Sequence, residues 1–226
     1  MERNVTLSEI SDGKLYGDHD LVKADCGDCK GCSSCCKGMG TSIVLDPYDC
    51  YRLSKDLGMA FEELSKEHIE LNVFDGVILP NLKMAGEDEH CTFLDQNGRC
   101  SIHASRPGIC RIFPLGRYYE NHSFQYILQI HECKNKNRTK VKVNRWIDTP
   151  NYKQHNEFII EWHYFIKDIQ GYMKNAVDFD SSRTLTMYLL NQFYIKPYKN
   201  EETFYQEFKV RIQTIKNALK DIIEFK

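Results

Sequence analysis

The feature that most constrains this chain is a run of evenly spaced cysteines, Cys26-Gly-Asp-Cys29-Lys-Gly-Cys32-Ser-Ser-Cys35-Cys36. A C-x2-C turn brings two thiolates onto one metal, because the backbone between them curls and offers N–H groups to the sulfurs. Repeating the step supplies three corners of a four-iron, four-sulfur cube, with the fourth ligand coming from distant sequence. Cys35 and Cys36 add a second constraint. Side chains of adjacent residues diverge, so both thiols cannot serve one tetrahedral ion without strain. Two metal centres, or one multinuclear cluster, follow more naturally than a single zinc ion.

Distant ligands are available at Cys91, Cys100, Cys110 and Cys133, beside predicted hairpins and turns. With Cys29, Cys32, Cys35 and Cys36 they make up two four-ligand sites. Cys26 and Cys50 are left over, and Cys50, on a predicted helix, reads as a small buried hydrophobe. Structural zinc sites are the plainer alternative, and spacing alone does not separate zinc from iron.

Composition sets the surroundings of this cluster. In 226 residues, 42% hydrophobic and 12% aromatic, there is material for a sizeable core, so cross-links are not needed merely to fold. A formal net charge of −2 gives no global case for a nucleic-acid or anionic-membrane partner. The first residues are polar with no secretory h-region, and nowhere do eighteen apolar residues run together. The expectation is a cytoplasmic protein with no membrane segment, where ten cysteines point to metal or catalysis rather than disulfides.

All ten cysteines fall at or before Cys133, and this shift divides the chain. The expected division is an N-terminal arm over 1–25, a cysteine-cluster domain over 26–145 and a helical segment over 146–226. Thr41–Leu45 reads as a brief strand. Asp46-Pro47 then caps and starts a helix that Gly58 ends after Leu57, and a second short helix runs from Phe61 to Ile69. Asp75-Gly76 and Asn97-Gly98 predict hairpin turns, the second between 91–94 and 99–102. A third hairpin over 113–130 turns near Glu120-Asn121. Beyond it the period changes to that of amphipathic helices. The stripes contain Phe158 to Ile169, Leu185 to Phe193 (capped by Ser181 or Ser182) and Phe204 to Ile223. The fold class expected is α+β, a small cysteine-cluster domain with hairpins and short helices around a metal centre, followed by a three-helix segment.

Three blocks together resemble a known family. Cys29-Lys-Gly-Cys32-Ser-Ser-Cys35-Cys36-Lys-Gly is similar to the C-x2-C-x2-C-C opening of the YkgJ-type cysteine-cluster proteins, described as zinc- or iron-chelating domains. Cys91-Thr-Phe-Leu-Asp through Gly98-Arg-Cys100-Ser-Ile-His103 resembles that family's middle block. Arg106-Pro107-Gly-Ile-Cys110-Arg111-Ile-Phe113-Pro114 resembles its R-P-x2-C-R-x-F-P signature, and Cys133 stands where the family often has a last cysteine. The resemblance covers about residues 25–135 and implies an oxygen-sensitive metal centre. It extends distantly to flagellin lysine-N-methylase, which uses S-adenosylmethionine, although this chain lacks room for that enzyme's longer C-terminal part.

Arg106 and Arg111 flank Cys110 and are candidate cofactor-binding residues, able to offset thiolate charge or to hold an anion; both are also candidates for pinning the turn. His103 and His131 are candidate nitrogen ligands, and His90 a weaker one. The basic stretch Lys134 to Lys142 reads as a solvated edge strand, and nucleic acid is not expected there. The functional expectation is an iron–sulfur protein carrying one or two 4Fe–4S clusters, with a redox or catalytic role and a redox partner protein. The alternatives are a zinc- or iron-binding module for metal handling or structure, and a relative of the S-adenosylmethionine-dependent protein-lysine methyltransferases.

Overall fold

The computed structural model describes residues 6–27, 32–176 and 179–225. In chain order the elements are α1 (Leu7–Ile10), β1 (Leu21–Asp25), α2 (Pro47–Leu57), α3 (Phe61–Glu67), β2 (Ile69–Phe74) and β3 (Val77–Leu82). There follow β4 (Met84–Ala85), β5 (His90–Cys91), α4 (Gly108–Ile112), β6 (Leu115–Glu120), β7 (Ser123–Leu128) and β8 (Thr139–Lys142). The chain ends in α5 (Val143–Ile147), α6 (Tyr152–Ala176), α7 (Phe179–Leu190) and α8 (Phe204–Leu219). The strands form four two-stranded sheets, β1–β8, β2–β3, β4–β5 and β6–β7. The class is α+β, as expected. No helix among the described residues is long and apolar enough to cross a membrane.

Contacts group the described residues into two units: those up to Ile43 with Leu82–Tyr152, and Val44–Asn81 with those from Lys153 onward. In the first unit, β1 and β8 run antiparallel with Leu21 opposite Lys142 and Val22 opposite Val141. The alternation of a strand sends Val22 and Ala24 inward. There they meet Ile112, Leu115, Tyr126, Leu128, Val143 and Ile147 in one buried cluster. The β6–β7 hairpin turns at Asn121 and His122, both at positive φ, one residue later than expected. Asn is at home in that conformation and His is tolerated there.

The chain turns back at Asn97-Gly98 as expected, with Asp95 N–H donating to Arg99 O and Ser101 N–H to Phe93 O at 2.8 Å each, but the return is short. The Asp95 carboxylate accepts from the amides of Asn97 (2.9 Å) and Arg99 (2.8 Å), so a side chain takes donors that a ladder would use. The pairing is therefore a single antiparallel bridge, Leu94 to Cys100, rather than two regular strands. The strand expected over 41–45 is likewise reduced to an isolated bridge, Val44 to Asn81.

The second unit begins with α2 as expected. Asp46 and Asp49 exchange side chain-to-backbone bonds at 2.8 and 3.2 Å, Pro47 occupies the first turn, and Gly58 leaves the helix at φ 66°. Its core is aromatic: Phe158 lies edge-on to Phe208 with centroids 4.6 Å apart, and Trp162 edge-on to Phe193 at 4.9 Å. Ser181 and Ser182 lie inside α7, which is already helical at Phe179, so neither caps it. α7 runs into a π-helical turn, Asn191–Ile195. Arg211 of α8 donates to the carbonyls of Gln192, Lys196 and Pro197 at 2.6–2.8 Å, satisfying groups that this turn leaves without helical partners.

Candidate metal centre

All of the site lies in the first unit, and short segments with separate anchors build it. The cysteine run ends in a 3-10 turn over Ser34–Cys36, closed by Cys36 N–H to Ser33 O at 2.9 Å. Lys37 then bridges to His90, and Gly38 N–H donates to Glu89 O at 2.9 Å, so the backbone after Cys36 adds itself to the edge of β5. Asp88 clamps this join from outside, taking Lys37 Nζ and His90 Nδ1 at 2.7 Å each. Those two bonds, Lys37's first, hold the Asp88 carboxyl down at about 2. Register sets Cys91 opposite Met84, and the Leu94–Cys100 bridge fixes Cys100. Cys110 sits on α4, whose first turn follows Pro107.

Together these segments enclose a cavity of about 150 Å³ lined by Cys32, Cys35, Cys36, Cys91, Cys100 and Cys110. That volume is comparable with an apolar cavity that admits benzene, of roughly 150 Å³. Apolar side chains such as Ile43, Leu82, Ile102 and Leu115 form the rest of its wall, with His103 and Arg106 on the polar side. Among the described residues, no three Cys, His, Asp or Glu side chains converge closely enough to hold one ion between them. The thiols ring a space instead of meeting at a point.

The electrostatics tie these thiols together. A hydrogen bond with the Cys36 side chain, then burial and the Cys36 charge, pushes the Cys35 thiol far above its ordinary range, against the pull of Arg106. Burial raises Cys91 and Cys100, each raised further by Cys35; the guanidinium of Arg106 works in the opposite direction on Cys100. A metal taking these sulfurs displaces protons, and Arg106, with Arg99 also in the lining, is placed to compensate the thiolate charge.

Arg106 Nη1 lies 3.0 Å from His103 Nε2. A guanidinium only donates, so His103 accepts there, and that nitrogen is not free to ligate. Arg106 Nε is buried with no hydrogen-bond partner. An anionic group in the cavity, such as a cluster with its sulfides, fits that orphaned donor. Arg111 is not among the cavity-lining residues. It is 8% exposed and donates to Ala104 O at 2.6 Å and Asp148 O at 3.1 Å, pinning the turn around α4.

Of the eight predicted ligands, six line the cavity. Cys29 lies outside the described residues. Cys133 is not in the lining: its Sγ faces Asn135 O at 4.0 Å, and the Asn135 side chain donates to Cys26 O at 3.5 Å. Cys133 and Cys26 therefore meet around Asn135, where β1 ends and the approach to β8 begins. Glu132 lines the cavity and was not singled out from sequence; a carboxylate beside Cys133 was the available signal. His131 is exposed and outside the lining. Cys50 is buried in the second unit, where burial raises its thiol well above the ordinary value.

A ring of partly buried thiols compensated by a guanidinium defines a metal-binding protein. A family model, "CxxCxxCC: putative zinc- or iron-chelating domain", matches residues 28–143, just over half of the chain, and the chain belongs to that family. No curated protein and no solved structure matches it significantly.

Proposed function

We propose that the cavity holds a 4Fe–4S cluster and that the protein serves electron transfer or redox catalysis in the cytoplasm. The observation that carries this reading is the ring of six thiols around a space larger than a single tetrahedral ion fills, with the unpartnered Nε of Arg106 in its wall. Ligands would be drawn from Cys32, Cys35, Cys36, Cys91, Cys100 and Cys110. Cys29 and Cys133 would extend the set to a second centre. Such a cluster supplies a one-electron couple when bound. The side chains hold it, Arg106 offsets its charge, and the apolar wall limits water, the terms that set a cluster's potential.

The second reading is a zinc or iron ion chelated for metal handling or structure, favoured by the family description and by the burial of Cys91 beside the half-buried Cys100. Purification without oxygen, followed by iron, zinc and acid-labile sulfide determination, separates the two. Iron with equal sulfide and a broad visible absorption bleached by dithionite supports the cluster. Zinc without sulfide removes it and leaves the chelating module.

A further inference from the structure

The β1–β8 ribbon has an outer face that nothing in the metal site uses. Its inner face, Val22 and Ala24 with Val141, packs on the core. Its outer face presents Leu21 and Lys23 from β1 and Lys140 and Lys142 from β8, all exposed. Lys134, Lys136 and Arg138 precede β8 and Arg145 follows it. From Cys133 to Ile147 the chain has six cations and no carboxylate, in a molecule of net charge −2.

Among the described residues these cations also have no ion-pair partner. Lys37, Lys55, Lys174 and Lys209 each sit within ion-pair distance of a carboxylate. Among the described residues, none of the six between Cys133 and Ile147 does. Asp25, the acid within the ribbon, is already engaged by Thr139 Oγ1 at 3.1 Å and by the Gly27 amide at 2.9 Å. Arg138 keeps one guanidinium nitrogen buried without a hydrogen-bond partner. Location completes the case. One end of the ribbon is the meeting of Cys26 and Cys133 around Asn135, and Glu132, one residue before Cys133, lines the thiol cavity.

We propose that this basic ribbon is the docking surface for a redox protein with a carboxylate-rich face, seated beside the metal centre. The inference rests on the redox reading of that centre. Unpaired surface cations raise the association rate of a partner of opposite charge and orient it, adding little to the final affinity. Electron-transfer encounters have this character, brief and small in area. The surface suits a localised acidic patch better than a nucleic acid. It carries no exposed aromatic side chain for base stacking, and the rest of the chain is net negative.

The test uses the full chain with a flavodoxin as the acidic redox probe and a random-sequence DNA duplex as the competing polyanion. K136E/K140E/K142E is compared with K153E/K199E/K220E, which makes the same charge change at exposed positions of the other unit. The association rate with flavodoxin should fall about tenfold or more in the ribbon variant, and should fall steeply with salt in the wild type. The control variant should change far less. Equal rates in both variants, or DNA bound more tightly than flavodoxin, overturn the proposal. Iron and sulfide are measured on the same preparations. Intact metal with no ribbon effect condemns the docking surface alone, whereas ribbon-dependent binding without iron or sulfide condemns the redox reading alone.

Discussion

Replacing Arg111 with methionine keeps the aliphatic stem and removes the guanidinium that spans two loops. The lost bonds run to Ala104 O at 2.6 Å and Asp148 O at 3.1 Å. A hydrogen bond from a charged donor contributes about 1.5–3 kcal/mol, so these two together contribute at most roughly 3–6 kcal/mol. Two effects lower that maximum. Ala104 and Asp148 are exposed, so water can reach their carbonyls, and the variant no longer buries a cation. The net loss should be about 2–3 kcal/mol, a large share of the roughly 5–15 kcal/mol that holds a domain. The measurement is urea unfolding of the metal-free protein in a Trp162→Phe background, which leaves Trp146 as the fluorophore. Trp146 Nε1 donates to Ile112 O and Phe113 O, so it reports on this turn. Arg106→Gln is the counterpart, expected to leave the midpoint nearly unchanged and to alter the metal centre's spectrum or potential. If Arg111→Met unfolds at the wild-type urea concentration with the same slope but loses metal, the assignment of the two arginines is inverted.

Cys32→Ala, Cys100→Ala and Cys110→Ala should each lose most of the bound metal, measured per chain, while Cys50→Ala keeps it; equal retention in all four would refute the site. Gly76→Ala should destabilise the second unit by about 2–5 kcal/mol, since φ is +86° and the new Cβ would lie 2.8 Å from Met173 Cβ, which the helix backbone fixes. Gly58→Ala, at φ +66° with open space, should cost only about 1 kcal/mol, and equal losses would mean that the clash is relieved. The Asp88 carboxyl should titrate near 2 by carbon NMR in the metal-free protein. Its folded value is depressed, so the clamp is in full force above about pH 4 and lost as pH falls toward 2. Lys37→Ala should return it toward the ordinary range, and a wild-type midpoint near 4 would remove the clamp. Chelation should leave the first unit folded by circular dichroism, because its eight-residue core contains no metal ligand; collapse on chelation would make the metal structural.

What was legible in the sequence is what local chemistry decides. Asp46, Pro47 and Gly58 mark α2 because a cap, a first-turn proline and a left-handed exit each act within a few residues. Asp75-Gly76 marks the β2–β3 turn for the same reason. The cavity cysteines were readable from spacing and from the order of three motif blocks. Arg106 and Arg111 were not separable, since both flank Cys110 and their difference lies in what each guanidinium reaches across the fold. Asn97-Gly98 likewise marks a real turn, but how short its strands stay was not legible, because the Asp95 side chain competes for the Asn97 and Arg99 amides. That residues 44–81 pack with the C-terminal helices is a long-range fact to which neither period nor capping speaks.

The division of labour within the first unit bears on what the metal is for. A small zinc module spends its thiolates on holding loops together and has little core without them. Here the Lys37–Asp88–His90 clamp, the Asp95 loop and the Arg111 bonds fix the cysteine-bearing segments by means that need no metal. Tyr126, Val22 and Val143 bury an apolar core outside the cavity lining. Thiols held in place by other interactions are free to serve a centre that changes charge, and a half-buried guanidinium with one buried, unpartnered nitrogen is useful where the charge opposite it varies. That combination argues for a working centre over a structural one.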